Sequence, residues 1–160
     1  MYAEGAQQAL HSVLHEELEC SGRLLACLES ERNALGRRDM DTLHQTTAEK
    51  LQLSQQLEAL DTRRAGLVTG LGFGADAASL GKCFNSLPHA GELKRLWRQI
   101  LANLEACRSG NLTNGGILEA SRQHAEQALC ILRGQTGTTT LYSQAGDAAA
   151  DLGRRELGKV

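Results

Sequence analysis

Residues 14–35 read LHEELECSGRLLACLESERNAL, and the spacing of apolar residues in this stretch decides the fold class. Steps of four and three alternate without interruption along the series Leu14, Leu18, Ser21, Leu25, Leu28, Arg32 and Leu35. This alternation is the heptad pattern of a helix that packs along another helix. It predicts a helix over residues 3–35, roughly 50 Å long at about 1.5 Å per residue. A helix of that length needs partners of similar length, so the pattern favours a helical bundle.

Two further stretches, residues 40–69 and 92–133, carry the same pattern. The first has the series Leu43, Thr46, Lys50, Leu53, Leu57, Leu60, Arg64 and Leu67. The second has Leu93, Ile100, Leu104, Cys107, Asn111, Asn114, Leu118, Ser121, Ala125, Ala128 and Leu132. This last series keeps its phase across Gly110, Gly115 and Gly116, which favours one continuous helix. Each glycine lowers helix propensity by about 1 kcal/mol relative to alanine and would allow a kink.

The connections between these stretches set the predicted topology. Gly36 and Asp39 delimit a short break, in which we expect Gly36 to adopt the positive φ that ends a helix. Asp39 or Asp41 then caps the second helix. A connection this short makes the first two helices antiparallel neighbours. Residues 70–91 are rich in glycine at both ends and contain Pro88. We expect this segment to be a loop or to form a short helix at 75–86, and to cross the end of the hairpin.

The last residues, 134–160, lose the heptad pattern and contain many glycines. They predict a flexible tail, in which residues 143–157 could form an amphipathic helix on a partner. The predicted fold class is therefore all-α. It consists of a long antiparallel helical hairpin, a third long helix in a coiled-coil-like bundle over 1–133, a short connecting helix, and a flexible C-terminal tail.

Composition excludes several classes of function. The net charge is −2 and no segment concentrates Lys and Arg, which argues against nucleic acid as a partner. No run of about 18 apolar residues occurs, so we expect no membrane insertion. The first residues show no basic segment followed by an apolar run, so we expect no signal peptide. The five cysteines then indicate reduced thiols and a cytoplasmic location.

No group of residues predicts a metal, a cofactor or a catalytic site. His11 and His15 have the i, i+4 spacing of metal ligands, but the sequence identifies no third ligand, and solvated or interfacial histidines are the favoured interpretation. Asp41 and His44 resemble half of a di-iron motif whose other copies are absent. Cys20 and Cys27 lie two turns apart, too far for a disulfide. We therefore expect no enzyme and no cofactor, and a protein that works by holding another protein.

Polar residues within the heptad series leave alternatives open. Arg32, Lys50 and Arg64 can cover the apolar surface and send their charges to water, which is the favoured interpretation. Alternatively, Arg32 or Arg64 pairs with carboxylates across the bundle. Asn111 and Asn114 need hydrogen-bond partners if they are buried. They either bond across helices or mark a surface that another protein covers.

The order of several motifs resembles the FlgN family of flagellar export chaperones. The motifs are Ala34-Leu35-x-x-Arg38-Asp39-x-x-x-Leu43, Glu49-Lys50-Leu51-x-Leu53-x-x-x-Leu57-x-x-Leu60, Arg63-Arg64, Asn111-x-x-Asn114-Gly115 and Leu141-Tyr142-x-x-x-Gly146. The resemblance extends from about residue 10 to residue 146. It implies a cytoplasmic protein that binds hook-associated proteins of the FlgK and FlgL type and prevents their premature assembly. It also implies delivery of these clients to the type III export apparatus, including its gate component.

The resemblance associates the C-terminal part of the chain with client and gate contacts. The candidate partner-binding residues are Asn111, Asn114, Leu118 and Leu132 on the third long helix, and Leu141, Tyr142 and Leu152 in the tail. The alternative is a structural coiled-coil scaffold or a homodimeric adaptor without a chaperone role. The oligomeric state stays open.

Overall fold

The computed structural model describes residues 2–134, with side chains from Glu4 onward. This part of the chain forms four helices and contains no strand: α1 (Tyr2–Arg37), α2 (Met40–Gly70), α3 (Ala77–Ser86) and α4 (Ala90–Leu132). The all-α class is confirmed, and the helix ends agree with the predicted ones to within two residues. Residues 135–160, including the whole predicted amphipathic segment, lie outside the described residues.

Contacts between helices define an up-down-up arrangement of α1, α2 and α4. Cys20 and Cys27 on α1 face Leu53 and Thr46 on α2, respectively, so these two helices run antiparallel. Residues of α1 instead meet residues 81 to 86 positions later along the chain, from Gln7 with Pro88 to Leu28 with Asn114. Because this offset in residue number stays nearly the same along the helix, α4 runs parallel to α1. The predicted antiparallel hairpin and third long helix are therefore present.

The turn between α1 and α2 corrects one prediction. Gly36 lies inside α1, and the residue with positive φ is Arg38, at 57°. The Asp39 amide donates to the Ala34 carbonyl at 3.0 Å, and the Arg38 amide donates to the Leu35 carbonyl at 3.4 Å. These two bonds are those of a Schellman motif, which requires a left-handed residue at the C′ position. The left-handed residue therefore lies two positions after Gly36, and an arginine takes the strained conformation.

Asp39 caps α2, so the first of the two predicted capping residues, Asp39 rather than Asp41, is confirmed. Its carboxylate accepts a hydrogen bond from the Thr42 amide at 3.1 Å and another from the Thr42 hydroxyl at 2.6 Å. These bonds satisfy one of the free amides at the helix start. They also hold the pKa of Asp39 below its usual range, because they favour the ionised form. Asp76 caps α3 in the same way through Ser79.

The segment between α2 and α4 packs against the start of the bundle. Leu80, Cys83 and Phe84 on α3 are buried, as is Leu87 just after it. They join one apolar cluster with residues of the three long helices: Leu10, Leu14, Val68, Leu93, Leu96 and Ile100. The short helix α3 thus closes the end of the bundle at which α1 begins and α2 ends.

A second apolar cluster lies further along the bundle and contains three cysteines. Cys20, Cys27 and Cys107 pack with Leu24, Leu28 and Leu53. Their thiols donate to backbone carbonyls of neighbouring helices, Cys27 to Thr46 at 3.3 Å and Cys107 to Ser21 at 3.7 Å. Burial raises the pKa of each of these three thiols. All five cysteines are free thiols, in agreement with the interpretation of Cys20 and Cys27 as small packing groups.

α4 continues without interruption through Gly110, Gly115 and Gly116, as its unbroken heptad phase predicted. The chain divides into two compact units, Met1–Glu119 and Ala120–Val160. In the second unit, every described residue, from 120 to 134, is exposed. No helix among residues 2–134 is long and apolar enough to cross a membrane.

Candidate partner-binding site

The two asparagines of the third heptad series have different environments. Asn114 is 3% exposed and bonds across to α1. Its Nδ2 donates to the Leu28 carbonyl at 2.9 Å and to Glu31 Oε2 at 2.7 Å, while its Oδ1 accepts from Arg32 Nε at 3.1 Å. All three bonds link α4 to α1. For Asn114 the structure therefore shows the first of the two alternatives, bonding across helices.

Asn111 is exposed, and it joins the same network only at its edge. Its Oδ1 lies 3.4 Å from Lys50 Nζ, which donates a shorter bond of 2.8 Å to Glu31 Oε1. Burial alone would raise the pKa of Glu31, but the bonds from Lys50 and Asn114 outweigh it, and the pKa is lowered. An ionised Glu31 thus connects α1, α2 and α4. This network belongs to the fold, and it leaves Asn111 as the asparagine accessible to a partner.

For Arg64, the interpretation that the basic residues of the heptad series send their charges to water is wrong. Its guanidinium pairs with Glu17 on α1 and with Asp61 one turn earlier on α2. The same group lies 4.4 Å from the ring centroid of Trp97 on α4. Arg64 is mostly buried, and Glu17 is 2% exposed. The alternative interpretation, a carboxylate pair across the bundle, is the correct one for Arg64.

Glu17 is a buried carboxyl whose pKa is strongly raised. Burial raises its pKa to about 7, with Asp61 adding to the rise and Arg64 opposing it. Its Oε1 accepts from Arg64, whereas Oε2 has no hydrogen-bond partner among the described residues. The charged form of Glu17 is disfavoured because the carboxyl is buried and one of its oxygens lacks a hydrogen bond. This pair joins α1 to α2 inside the bundle.

Exposed apolar side chains of α4 are the candidate partner-binding residues, and each compact unit presents its own set. In the first unit, Leu112 and Leu118 are exposed, at 69% and 58%. They follow the part of the helix in which Leu93, Leu96, Ile100 and Cys107 pack into the bundle, while Leu101 and Leu104 are exposed there at 47% and 37%. Leu118 belongs to the same heptad series as those buried residues. An exposed leucine that continues a heptad series indicates a helix face that another helix covers.

The second unit presents further apolar side chains on α4. Leu129, Ile131 and Leu132 are exposed at 49%, 69% and 82%. Three large aliphatic residues within four positions are more than isolated surface leucines, which are common in monomeric proteins. Arg122 and Glu126 pair one turn apart earlier in this segment. The segment thus combines a charged helix surface with exposed aliphatic residues, which is the composition of a helix that binds in or forms a groove.

The predicted partner-binding residues divide into three groups. Asn114 is part of the bundle interior. Asn111, Leu118 and Leu132 are exposed on α4, so a partner can reach them, and their role stays a prediction. Leu141, Tyr142 and Leu152 lie outside the described residues. Sequence reasoning missed Leu112, Leu129 and Ile131 because these residues are out of phase with the heptad series, and only their exposure singles them out.

Comparisons with known proteins agree on one family. The family model described as FlgN protein matches residues 1–150. The flagella synthesis protein FlgN of Yersinia enterocolitica is 30% identical over 152 residues, which cover 92% of this chain and 96% of the relative. A crystal structure of a Pseudomonas aeruginosa protein provisionally assigned as flagella synthesis protein FlgN superposes with a TM-score of 0.64. It is 28% identical, and the match covers 72% of this chain and 91% of that one.

Proposed function

The chain belongs to the FlgN family of flagella synthesis proteins, and from this premise we propose that it is a cytoplasmic export chaperone for hook-associated proteins. It binds clients of the FlgK and FlgL type, prevents their premature assembly and delivers them to the gate component of the type III export apparatus. Its role in flagellum synthesis follows from the family. The chaperone activity, the location and the partners are the proposal.

The observation that carries the proposal is the contrast between the bundle and the later part of α4. In the bundle, the apolar residues of the heptad series are buried or partly buried, apart from Leu104 at 37% exposed. Buried Asn114 and Glu31 are hydrogen-bonded within the chain. From Leu118 to the last described residue, every residue is exposed. A helix that continues a packing pattern with its apolar side chains exposed to solvent is suited to receive a helix from another protein.

Capture of a client helix by such a surface explains why binding would be reversible. Exposed aliphatic residues supply about 25 cal/mol for each Å² of apolar area that is buried. Part of this free energy is offset by the ordering of side chains and client segments. A chaperone that hands its client to an export machine needs this balance. Leu141, Tyr142 and Leu152 remain candidates for contacts with the client or the gate.

Calorimetric titration of the purified chain with a purified FlgK-type or FlgL-type protein tests the proposal. We expect a complex that forms with both full-length proteins and that is lost when the terminal helical segments of the client are removed. A second arm uses an unrelated coiled-coil protein of similar length, which should not bind. Absence of binding to hook-associated proteins, or equal binding to the unrelated coiled coil, would refute the proposal.

The rival function is that of a homodimeric scaffold, in which α4 covers itself in a second copy. The exposed leucines of α4 favour this rival as much as they favour a client, because self-association also buries them. Sedimentation of the chain alone and with client distinguishes the two. A chaperone forms a mixed complex in the presence of its client. A scaffold stays a tight dimer whose mass does not change when a hook-associated protein is added.

A further inference from the structure

Three side chains with metal-ligand chemistry meet where α1 and α4 lie side by side. His11 and His15 are one turn apart on α1, with ring centroids 4.6 Å apart. Glu92 lies in the first turn of α4, and its Oε1 is 3.3 Å from His11 Nε2. One ligand atom from each of the three residues lies within 4.8 Å of the other two. The sequence alone offered two of these residues, and the parallel packing of α4 on α1 adds the third.

We propose that His11, His15 and Glu92 bind a divalent transition-metal ion, with Zn²⁺ as the best match. Two imidazoles and one carboxylate are a common set of protein ligands for zinc. Oxygen-seeking ions such as Mg²⁺ and Ca²⁺ prefer carboxylates, carbonyls and water, so they fit this set poorly. The site would clamp the start of α4 to α1, beside the end of the bundle that α3 closes.

The distances suit a zinc ion after a small adjustment. Zinc bonds of about 2.0–2.1 Å in a tetrahedron place neighbouring ligand atoms roughly 3.4 Å apart. His11 and Glu92 already have this separation, at 3.3 Å. The remaining separations, of up to 4.8 Å, must shorten by roughly 1.4 Å. Because His15 and Glu92 are exposed, rotation of their side chains can supply this movement without repacking the core.

An ordinary ion pair between His11 and Glu92 explains only two of the three residues. It gives no role to the tilted packing of the His15 ring beside His11. A metal site uses all three, and it leaves a fourth ligand position. Glu4 and His89 line the same surface cleft as His11 and Glu92, so a fourth protein ligand or water can complete the tetrahedron.

Titration calorimetry of the full chain with ZnCl₂ tests the proposal, in a Cys130→Ser background because Cys130 is an exposed thiol. We expect one ion per chain. The variants His15→Gln and Glu92→Gln should each weaken binding by about tenfold or more, since each removes one of three ligands. His44→Gln, which changes an exposed histidine elsewhere on the bundle, is the matched control and should leave the affinity unchanged.

Co²⁺ binding gives a second readout that does not depend on affinity. The site predicts ligand-field bands without a thiolate-to-cobalt charge-transfer band, because its ligands are nitrogen and oxygen. Zinc should also raise the melting temperature of the parent chain but not that of His15→Gln, because binding to the folded state stabilises it. Unchanged zinc affinity in both His15→Gln and Glu92→Gln, or a thiolate band, would overturn the proposal.

Discussion

Glu17 and Arg64 show how single residues join the long helices. Arg64 on α2 reaches Glu17 on α1 and stacks on Trp97 of α4, so one guanidinium contacts all three long helices. Its partner Glu17 carries a pKa raised to about 7 by burial. A buried pair of this kind stabilises less than its contacts suggest, because removing charges from water is costly. It does fix the register between helices, since other registers leave the charges unpaired.

The raised pKa of Glu17 predicts a pH dependence of stability. Folded Glu17 keeps its proton up to about pH 7, whereas the unfolded chain releases it near the ordinary glutamate pKa of 4.5. The folded state thus binds more protons between these values, and the free energy of unfolding falls as pH rises through this window. The loss is at most about 3–4 kcal/mol, since one pKa unit corresponds to about 1.4 kcal/mol.

Urea unfolding of the parent chain and of Glu17→Gln, at pH 5 and pH 8, measures this effect. Glutamine does not titrate, so the variant should lose most of the decrease in stability between these two pH values. Glu16→Gln is the matched control, because Glu16 is the exposed neighbour that pairs with Arg63. An equal decrease in Glu17→Gln and the parent chain would contradict the assignment.

Arg38 offers a second test at the scale of one residue. Its φ of 57° lies in the left-handed region, which costs a non-glycine residue roughly 1 kcal/mol. We expect Arg38→Gly to stabilise the chain by about 0.5–1 kcal/mol. Arg37→Gly changes the preceding residue, which is inside α1, and should destabilise by about as much. Thermal melts of both variants measure the difference, and destabilisation by Arg38→Gly would contradict the turn geometry.

At the scale of elements, the polar network around Asn114 attaches α4 to α1. Removal of the Asn114 side chain leaves Glu31, Arg32 and the Leu28 carbonyl each without one bond. An unsatisfied buried polar group costs about 1–3 kcal/mol. We therefore expect Asn114→Ala to lower the free energy of unfolding by about 2 kcal/mol or more. Asn111→Ala, three residues earlier and exposed, should cost about 0.5 kcal/mol at most.

Denaturant unfolding of these two alanine variants distinguishes a structural asparagine from a surface one. Equal losses for Asn111→Ala and Asn114→Ala would show that the network around Glu31 does not hold α4 in place. A loss for Asn114→Ala alone confirms it. Helical content by circular dichroism should be unchanged before unfolding in both variants, because neither position is at a helix end.

The helices themselves could be predicted from the sequence, whereas contacts between them could not. Heptad spacing depends only on local positions, so it located α1, α2 and α4, and the unbroken phase predicted continuity through Gly110 and Gly115. Asn111 and Asn114 belong to one series, and three residues on a helix differ by about 60° in direction. Which of the two points into the bundle depends on how α4 is rotated against α1, and no local pattern carries that information.

The same limit applies to the pairs that cross the bundle. Arg64 with Glu17 and His11 with Glu92 are separated by 47 and 81 positions. Their meeting depends on the register of one helix against another, which the lengths of the turn after α1 and the connection around α3 determine. The heptad series showed that Arg64 lies on the helix face that packs in the bundle, but it could not show which carboxylate Arg64 pairs with. Gly36 likewise predicted a helix end two residues too early.

At the scale of the whole molecule, the bundle of the first unit satisfies most of its own apolar and polar groups, and the second unit presents an exposed helix. This contrast fits the proposed chaperone function, in which the bundle would stay folded while α4 binds and releases a client. It predicts that the exposed leucines of α4 contribute to client affinity and little to stability. The absence of a catalytic role stays a prediction.

Client affinity of the double variant Leu129→Ser/Leu132→Ser is the most direct measurement of this central claim. Both side chains are exposed, so the melting temperature should change little, whereas we expect affinity for a FlgK-type or FlgL-type protein to fall by about tenfold or more. The control is Met40→Ser/Leu51→Ser, which removes two similarly exposed side chains from α2. We expect weakened binding for the α4 pair alone. Parent-like binding by the α4 pair, or an equal loss in both variants, would contradict it.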